Sequence, residues 1–125
     1  MKKYDIVVIG SGPAGHVAAL KAVKKGKSVA VVERAELGGV CLNWGCIPTK
    51  AMLKSAQVYH YMTSAATYGI EFEGEVRPSL DKIVERSRAV AEQMNKGIAF
   101  AFKKAGVAVL AGRGRIAERG VVEVT

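Results

Sequence analysis

Tyr4-Asp5-Ile6-Val7-Val8-Ile9-Gly10-Ser11-Gly12-Pro13-Ala14-Gly15 is the stretch that decides the fold. Tyr4 to Ile9 is a short β-branched run stopped by glycine, the pattern of a strand buried in a parallel sheet. Pro13 suits the first turn of a helix, where its missing N–H costs nothing. From Ala14 the apolar positions Val17, Ala18, Leu20, Ala22 and Val23 predict a short helix. Lys24 and Lys25 favour its C-terminus and Gly26 stops it. Ser28 to Val32 predicts a second buried strand, ending at Glu33. Strand, tight turn, helix and strand form a βαβ unit, which crosses over right-handed almost without exception.

Within that unit, Gly10 to Gly15 matches G-x-G-x-x-G, and each glycine has a separate task. Gly10 allows the tight turn off the strand. Gly12 has no Cβ, so a pyrophosphate can approach the backbone. Gly15 lets the helix pack closely on the strand. The helix start, with Pro13 and Ala14, then offers free N–H groups and about half a positive charge to phosphates. Glu33 lies 18 residues after Gly15, close to the roughly 20 expected of a carboxylate that binds a ribose hydroxyl. Arg34 is adjacent, so charge alone leaves a 2′-phosphate open. The competing reading is a glycine-rich turn in some other α/β protein, with Glu33 merely solvated.

Downstream, Leu37 to Cys46 is glycine-rich and is assigned no regular element. Pro48 opens a helical pattern that runs to about Ala66, closed by Gly69. Ile70 to Arg77 reads as an acidic loop. Pro78 and Ser79 open the longest helix, with Ser79 as N-cap and Asp81 at the positive end of the dipole. Its apolar stripe runs through Leu80, Ile83, Val84, Ser87, Val90, Ala91, Met94, Ile98, Phe102 and Ala105. Lys103, Lys104 and Gly106 end it. Val107 to Leu110 predicts a third strand and Val121 to Val124 a fourth. There are no repeats or linkers, so one α/β domain is expected.

The 125 residues are half hydrophobic and about a quarter charged, which excludes a disordered tail. No apolar run has the length of a bilayer span, and the N-terminus lacks a signal peptide. The expectation is a soluble cytoplasmic protein with no membrane partner. The net charge is +8, and residues 77–119 carry ten Lys/Arg against four Asp/Glu. No nucleic-acid motif with interleaved aromatics accompanies it, so no nucleic-acid partner is expected, and the basic excess reads as solvated surface. His16 and His60 are the only histidines and read as packed or exposed helical side chains.

The two cysteines, Cys41 and Cys46, stand five positions apart among glycines. A bent backbone would let them close a small ring. Cys46 falls where the Pro48 helix begins, and a helix N-terminus favours thiolate, the species active in thiol–disulfide exchange. Inert core cysteines, a zinc site and a structural disulfide are the alternatives. Zinc lacks further ligands nearby, and a structural disulfide is disfavoured in a reducing compartment.

The segment Gly38-Gly39-Val40-Cys41-Leu42-Asn43-Trp44-Gly45-Cys46-Ile47-Pro48-Thr49-Lys50, after the glycine loop and Glu33, resembles the flavin-dependent disulfide reductases. The likeness covers essentially the whole chain and is strongest to members that oxidise dihydrolipoamide. Glutathione, trypanothione and mercuric reductases share the layout and are the alternative, as is a non-redox nucleotide-binding module. The resemblance implies a Rossmann-like FAD-binding domain with a two-helix excursion, cut off before the last sheet strand. The nicotinamide and dimer-interface domains of the family would then be absent, leaving this chain a partial FAD-binding domain, inactive alone. It implies that Gly10, Gly12, Pro13, Ala14 and Gly15 cradle the FAD pyrophosphate. Glu33 would hold the adenosine ribose, and the neighbouring Arg34 with Leu37, Gly38, Gly39, Val40 and Cys41 would line the cofactor. Cys41 and Cys46 would be the redox disulfide, with Cys46 the charge-transfer thiolate and Cys41 the exchanging thiol. Lys50 would reach the flavin ring, and Gly114 would pass near the adenine. NAD would be co-substrate. The implied partners are dihydrolipoamide on an acyltransferase or glycine-cleavage carrier protein, and a second subunit in a homodimer. Thr49 and Trp44 depart from the common pattern, where serine and a smaller apolar residue are frequent.

Overall fold

A computed structural model describes all 125 residues. Strand β1 (Ile6–Ile9) leads through helix α1 (Pro13–Lys24) to strand β2 (Val29–Glu33). Helices α2 (Gly39–Trp44), α3 (Cys46–Thr63) and α4 (Leu80–Ala105) follow, with a 3-10 turn at Ala65–Tyr68 before α4. Strand β3 (Ala108–Ala111) and a hairpin of β4 (Gly114–Glu118) and β5 (Val121–Val124) complete the chain.

The first sheet is parallel, in the order β1-β2-β3. Ile6 pairs with Val29 and Ala30 with Ala108. Central β2 is flanked by strands on both edges, and Val29 to Val32 are all buried. On one face Val29 and Val31 pack with Ala19 of α1 and Phe102 of α4, beside Val107. This is the Rossmann-like α/β arrangement expected of the βαβ unit. At the open end of the sheet, Ser28 and Asp5 bond reciprocally: Ser28 N–H and hydroxyl both donate to Asp5 Oδ2 at 2.7 Å. Those bonds hold the Asp5 carboxyl below its ordinary range.

Several sequence expectations need correction. β1 is an edge strand of this sheet, so Ile9 stays 46% exposed rather than buried. The glycine-rich stretch after Leu37 contains a helix, α2. Ser79 sits at the N-cap with extended backbone, and its carbonyl accepts the Ile83 N–H, but its side chain makes no capping bond. The stripe of α4 is buried at Ser87, Ala91 and Phe102, while Leu80 remains 67% exposed. Strand β4 has no counterpart in the sequence reading; it pairs with β5 through a turn at Gly120, whose φ of +79° suits glycine.

No helix is long and apolar enough to cross a membrane.

Candidate functional site

The glycine loop leaves the carboxyl end of β1. Gly10 has φ +96°, a conformation an L side chain resists. A Cβ on Gly15 would sit 2.0 Å from the Gly10 carbonyl oxygen and 3.4 Å from Val8, so only glycine lets α1 approach β1. A Cβ on Gly12 would meet nothing within 4 Å, which leaves the space above that residue open. The backbone N–H groups of Gly12, Ala14 and Gly15 have no partner within the chain, whereas that of His16 is bonded to the Gly12 carbonyl. Open space, free donors and a helix start form a cradle that fits a diphosphate.

Glu33 ends β2 beside this loop. Its Oε2 accepts the Ser11 hydroxyl at 2.6 Å and the Ser11 N–H at 2.9 Å, and its Oε1 accepts the Ala35 N–H. Burial pushes the Glu33 carboxyl up, but the bonds from Ser11, Ala35 and Arg34 outweigh it and hold the pKa below the ordinary value. Ser11 is fully buried, and its hydroxyl also accepts the Gly38 N–H at 3.1 Å. One side chain thus ties together the glycine loop, the end of β2 and the entry to α2.

Glu33, Arg34, Gly10 and Gly114 line a common cavity of about 210 Å³, with Ile9, Val32, Gly112 and Arg113. A Cβ on Gly114 would lie 3.1 Å from side-chain methyls of both Ile9 and Val32, a tight fit that those side chains would have to relieve. The cavity carries one carboxylate and two guanidinium groups around an apolar floor.

The cysteine pair is joined to this cradle by a glycine contact. Gly38 and Gly39 both have positive φ, and a Cβ on Gly39 would lie 2.8 Å from the Gly12 Cα. The first turn of α2 therefore rests on the glycine loop. Gly38 is buried, Leu37 packs against the core cluster, and Val40 is 69% exposed. Cys41 on α2 and Cys46 at the first position of α3 form a disulfide, with Cα atoms 4.7 Å apart. Gly45 makes the bend between the helices, and a Cβ there would crowd Cys41 Cα at 3.1 Å. Cys41 is partly buried and Cys46 exposed. Lys50 follows Cys46 by one helical turn, is exposed and makes no ion pair in the chain. It lies outside the cavity that holds Glu33 and Gly114. His60 is exposed, and His16 has an unpartnered Nδ1.

Sequence reasoning missed four residues that brace this site. Asn43 is 8% exposed and donates to the carbonyls of Leu37 at 2.9 Å and Gly39 at 3.0 Å. Asn95 of α4 donates to the same Leu37 carbonyl at 2.8 Å. Arg88 donates to the Asn43 carbonyl at 3.0 Å. Ser11 is the fourth. Asn43 lay inside the cysteine motif, and only its polarity next to apolar neighbours could have marked it. Arg88 and Asn95 gave no sequence signal, since nothing local says what a helix face will meet.

A parallel sheet with a glycine loop and a disulfide set against that loop is the arrangement of the nucleotide-linked disulfide oxidoreductases. The chain belongs to the pyridine nucleotide-disulphide oxidoreductase family, whose model matches residues 4–125. It is similar to dihydrolipoyl dehydrogenase of Rhizobium etli, 43% identical over 98% of this chain and 26% of that protein. It is likewise similar to the dihydrolipoyl dehydrogenases of Chlorobaculum tepidum, at 47% identity, and Acholeplasma laidlawii, at 46%, each over 98% of this chain. The chain spans 26% of the Rhizobium and Chlorobaculum proteins and 37% of the Acholeplasma one.

Proposed function

We propose that this chain is the FAD-binding, disulfide-bearing part of a dihydrolipoyl dehydrogenase. In that reading electrons pass from dihydrolipoamide through Cys41 and Cys46 to FAD and on to NAD⁺. The observation that carries it is the Gly39–Gly12 contact, which seats the first turn of the Cys41 helix on the phosphate loop. That contact supports reading the disulfide and the glycine loop as parts of one redox site.

Gly12, Ala14 and Gly15 would hold the pyrophosphate through their free N–H groups, and the cavity at Glu33, Arg34 and Gly114 would take the adenosine end. Glu33 already anchors Ser11 through Oε2, so a ribose hydroxyl would share Oε1 with the Ala35 N–H. Bound FAD would supply the two-electron relay to nicotinamide. The chain's own chemistry is the exchange. A dihydrolipoamide thiolate attacks the Cys41 sulfur, forming a mixed disulfide and breaking the Cys41–Cys46 bond. Cys46 leaves as thiolate, stabilised by the N-terminus of α3. The second lipoamide thiol then displaces Cys41, releasing cyclic lipoamide and leaving a dithiol. Lys50 places a cation one helical turn from Cys46, and it would reach the flavin ring. The substrate would arrive on an acyltransferase or glycine-cleavage carrier protein, and the working enzyme would be a homodimer.

The test is colour. Residues 1–125 purified with FAD should be yellow with a flavin spectrum, and Gly12→Ala should abolish it. A colourless protein that binds a nicotinamide nucleotide instead would overturn the reading.

A further inference from the structure

Helix α4 reaches both cysteine-bearing helices. Asn95 bonds the Leu37 carbonyl at the entrance to α2, and Arg88 bonds the Asn43 carbonyl at its last turn. Arg86, two residues before Arg88, donates to the Ala51 carbonyl of α3 at 2.9 Å. These bonds join residues 35 to 58 positions apart in the chain. Helix α2 has only six residues, and so short a helix is marginal by itself. It also ends in carbonyls that lack intrahelical partners. Arg88 satisfies one of them and brings a cation to the negative end of the dipole.

While the disulfide is closed, a covalent bond ties α2 to α3. When it opens, that tie is gone. What remains is the Gly45 bend and the grip of α4. We propose that Arg86, Arg88 and Asn95 are positioning residues for the redox pair: they keep the two cysteine helices in closing geometry while the pair is a dithiol. The proposal rests on the redox reading of Cys41 and Cys46. Its physical content is effective concentration. Two thiols held in place reclose more readily than two thiols on loose helices. Loss of the grip lets the dithiol relax into looser arrangements of lower free energy that the covalently tied disulfide cannot reach. The disulfide becomes easier to reduce.

The experiment equilibrates the 125-residue chain with reduced and oxidised glutathione. Two glutathione thiols give two electrons and two protons to the pair. The protein S–S bond breaks, and one forms between the glutathiones. The fraction of dithiol is read by quenching and alkylation. Arg88→Met is expected to move the equilibrium constant about tenfold toward the dithiol, equivalent to about 30 mV for this two-electron couple. Asn95→Asp, which replaces the Nδ2 donor to Leu37 and Asn43 with a carboxylate oxygen at little change of size, is expected to move it in the same direction, and serves where Arg88→Met does not fold. Lys96→Gln, on the exposed side of α4 in a pair with Glu92, should leave it in place. Equilibrium constants equal to wild type in folded Arg88→Met and Asn95→Asp would overturn the proposal. A wild-type pair that does not interconvert with glutathione at any ratio would instead remove the redox reading itself.

Discussion

The Ser11 hydroxyl donates to Glu33 Oε2 at 2.6 Å, across 22 positions of sequence. The same hydroxyl accepts the Gly38 N–H, so a fully buried side chain links three segments: the glycine loop, the end of β2 and the entry to α2. Replacing Ser11 by alanine strands the Gly38 N–H and removes one bond to a carboxylate. We expect Ser11→Ala to destabilise the chain by about 1–3 kcal/mol and to weaken FAD binding, measured by denaturant melts and flavin titration. An unchanged melt would mean that these bonds do not carry the loop.

The carboxyl of Glu33 sets an acid limb. Its folded pKa is depressed, so its contribution to stability is fully present above the unfolded value and is lost as pH falls through the folded one. Stability should therefore drop below the ordinary Glu range near 4.5. Glu33→Gln should be less stable at neutral pH and should lose part of that acid slope. Thermal melts of both proteins across acid pH are the check, and parallel slopes would contradict the assignment.

The two loop glycines should fail in different ways. Gly15→Ala puts a Cβ 2.0 Å from the Gly10 carbonyl oxygen, so the turn must shift and the chain should lose more than about 3 kcal/mol. Gly12→Ala meets nothing within 4 Å and its φ of −59° suits any residue, so the melt should stay within about 0.5 kcal/mol of wild type. Flavin binding should be lost in both. A Gly12→Ala protein that keeps FAD would show that the phosphates do not pass over that residue.

Cys46 should be the more acidic thiol of the reduced pair. It starts α3 and is exposed, whereas Cys41 lies within α2 and is partly buried. In Cys41→Ser, alkylation of Cys46 should be fast at neutral pH and titrate below the ordinary thiol range, while Cys41 in Cys46→Ser should react slowly. Equal rates and equal midpoints would remove the helix-dipole argument.

A polypeptide of residues 1–125, supplied with FAD, dihydrolipoamide and NAD⁺, should not turn over. Its single glycine fingerprint, Gly10 to Gly15, is taken by FAD in the proposed reading. His60 is exposed on α3, and His16 lies in the first turn of α1, and neither makes a hydrogen bond to Cys41 or Cys46. Rates of about 1–1000 s⁻¹, usual for enzymes, would refute this division of labour.

Much of this was written locally. The βαβ unit, the Pro13 start, the Gly26 and Gly106 stops and the glycine loop depend on a residue and its near neighbours, and periodicity reports such things directly. The cysteine pair was legible for the same reason, since five positions and a bend at Gly45 decide whether two sulfurs meet. Other features had no local signal. Whether Ile9 is covered depends on which strand flanks β1. The helix in the glycine-rich stretch after Leu37 depends on Asn43 and on Asn95, a residue 58 positions from the carbonyl it holds. Glu33 could be marked as a ribose ligand from its spacing, but its bonds to Ser11 exist only because β2 lies beside the loop in the sheet. Hydrogen bonds between distant segments are decided by packing, and packing is set by the whole chain at once. The sequence determined where the chemistry sits, and the tertiary structure decided what holds it there.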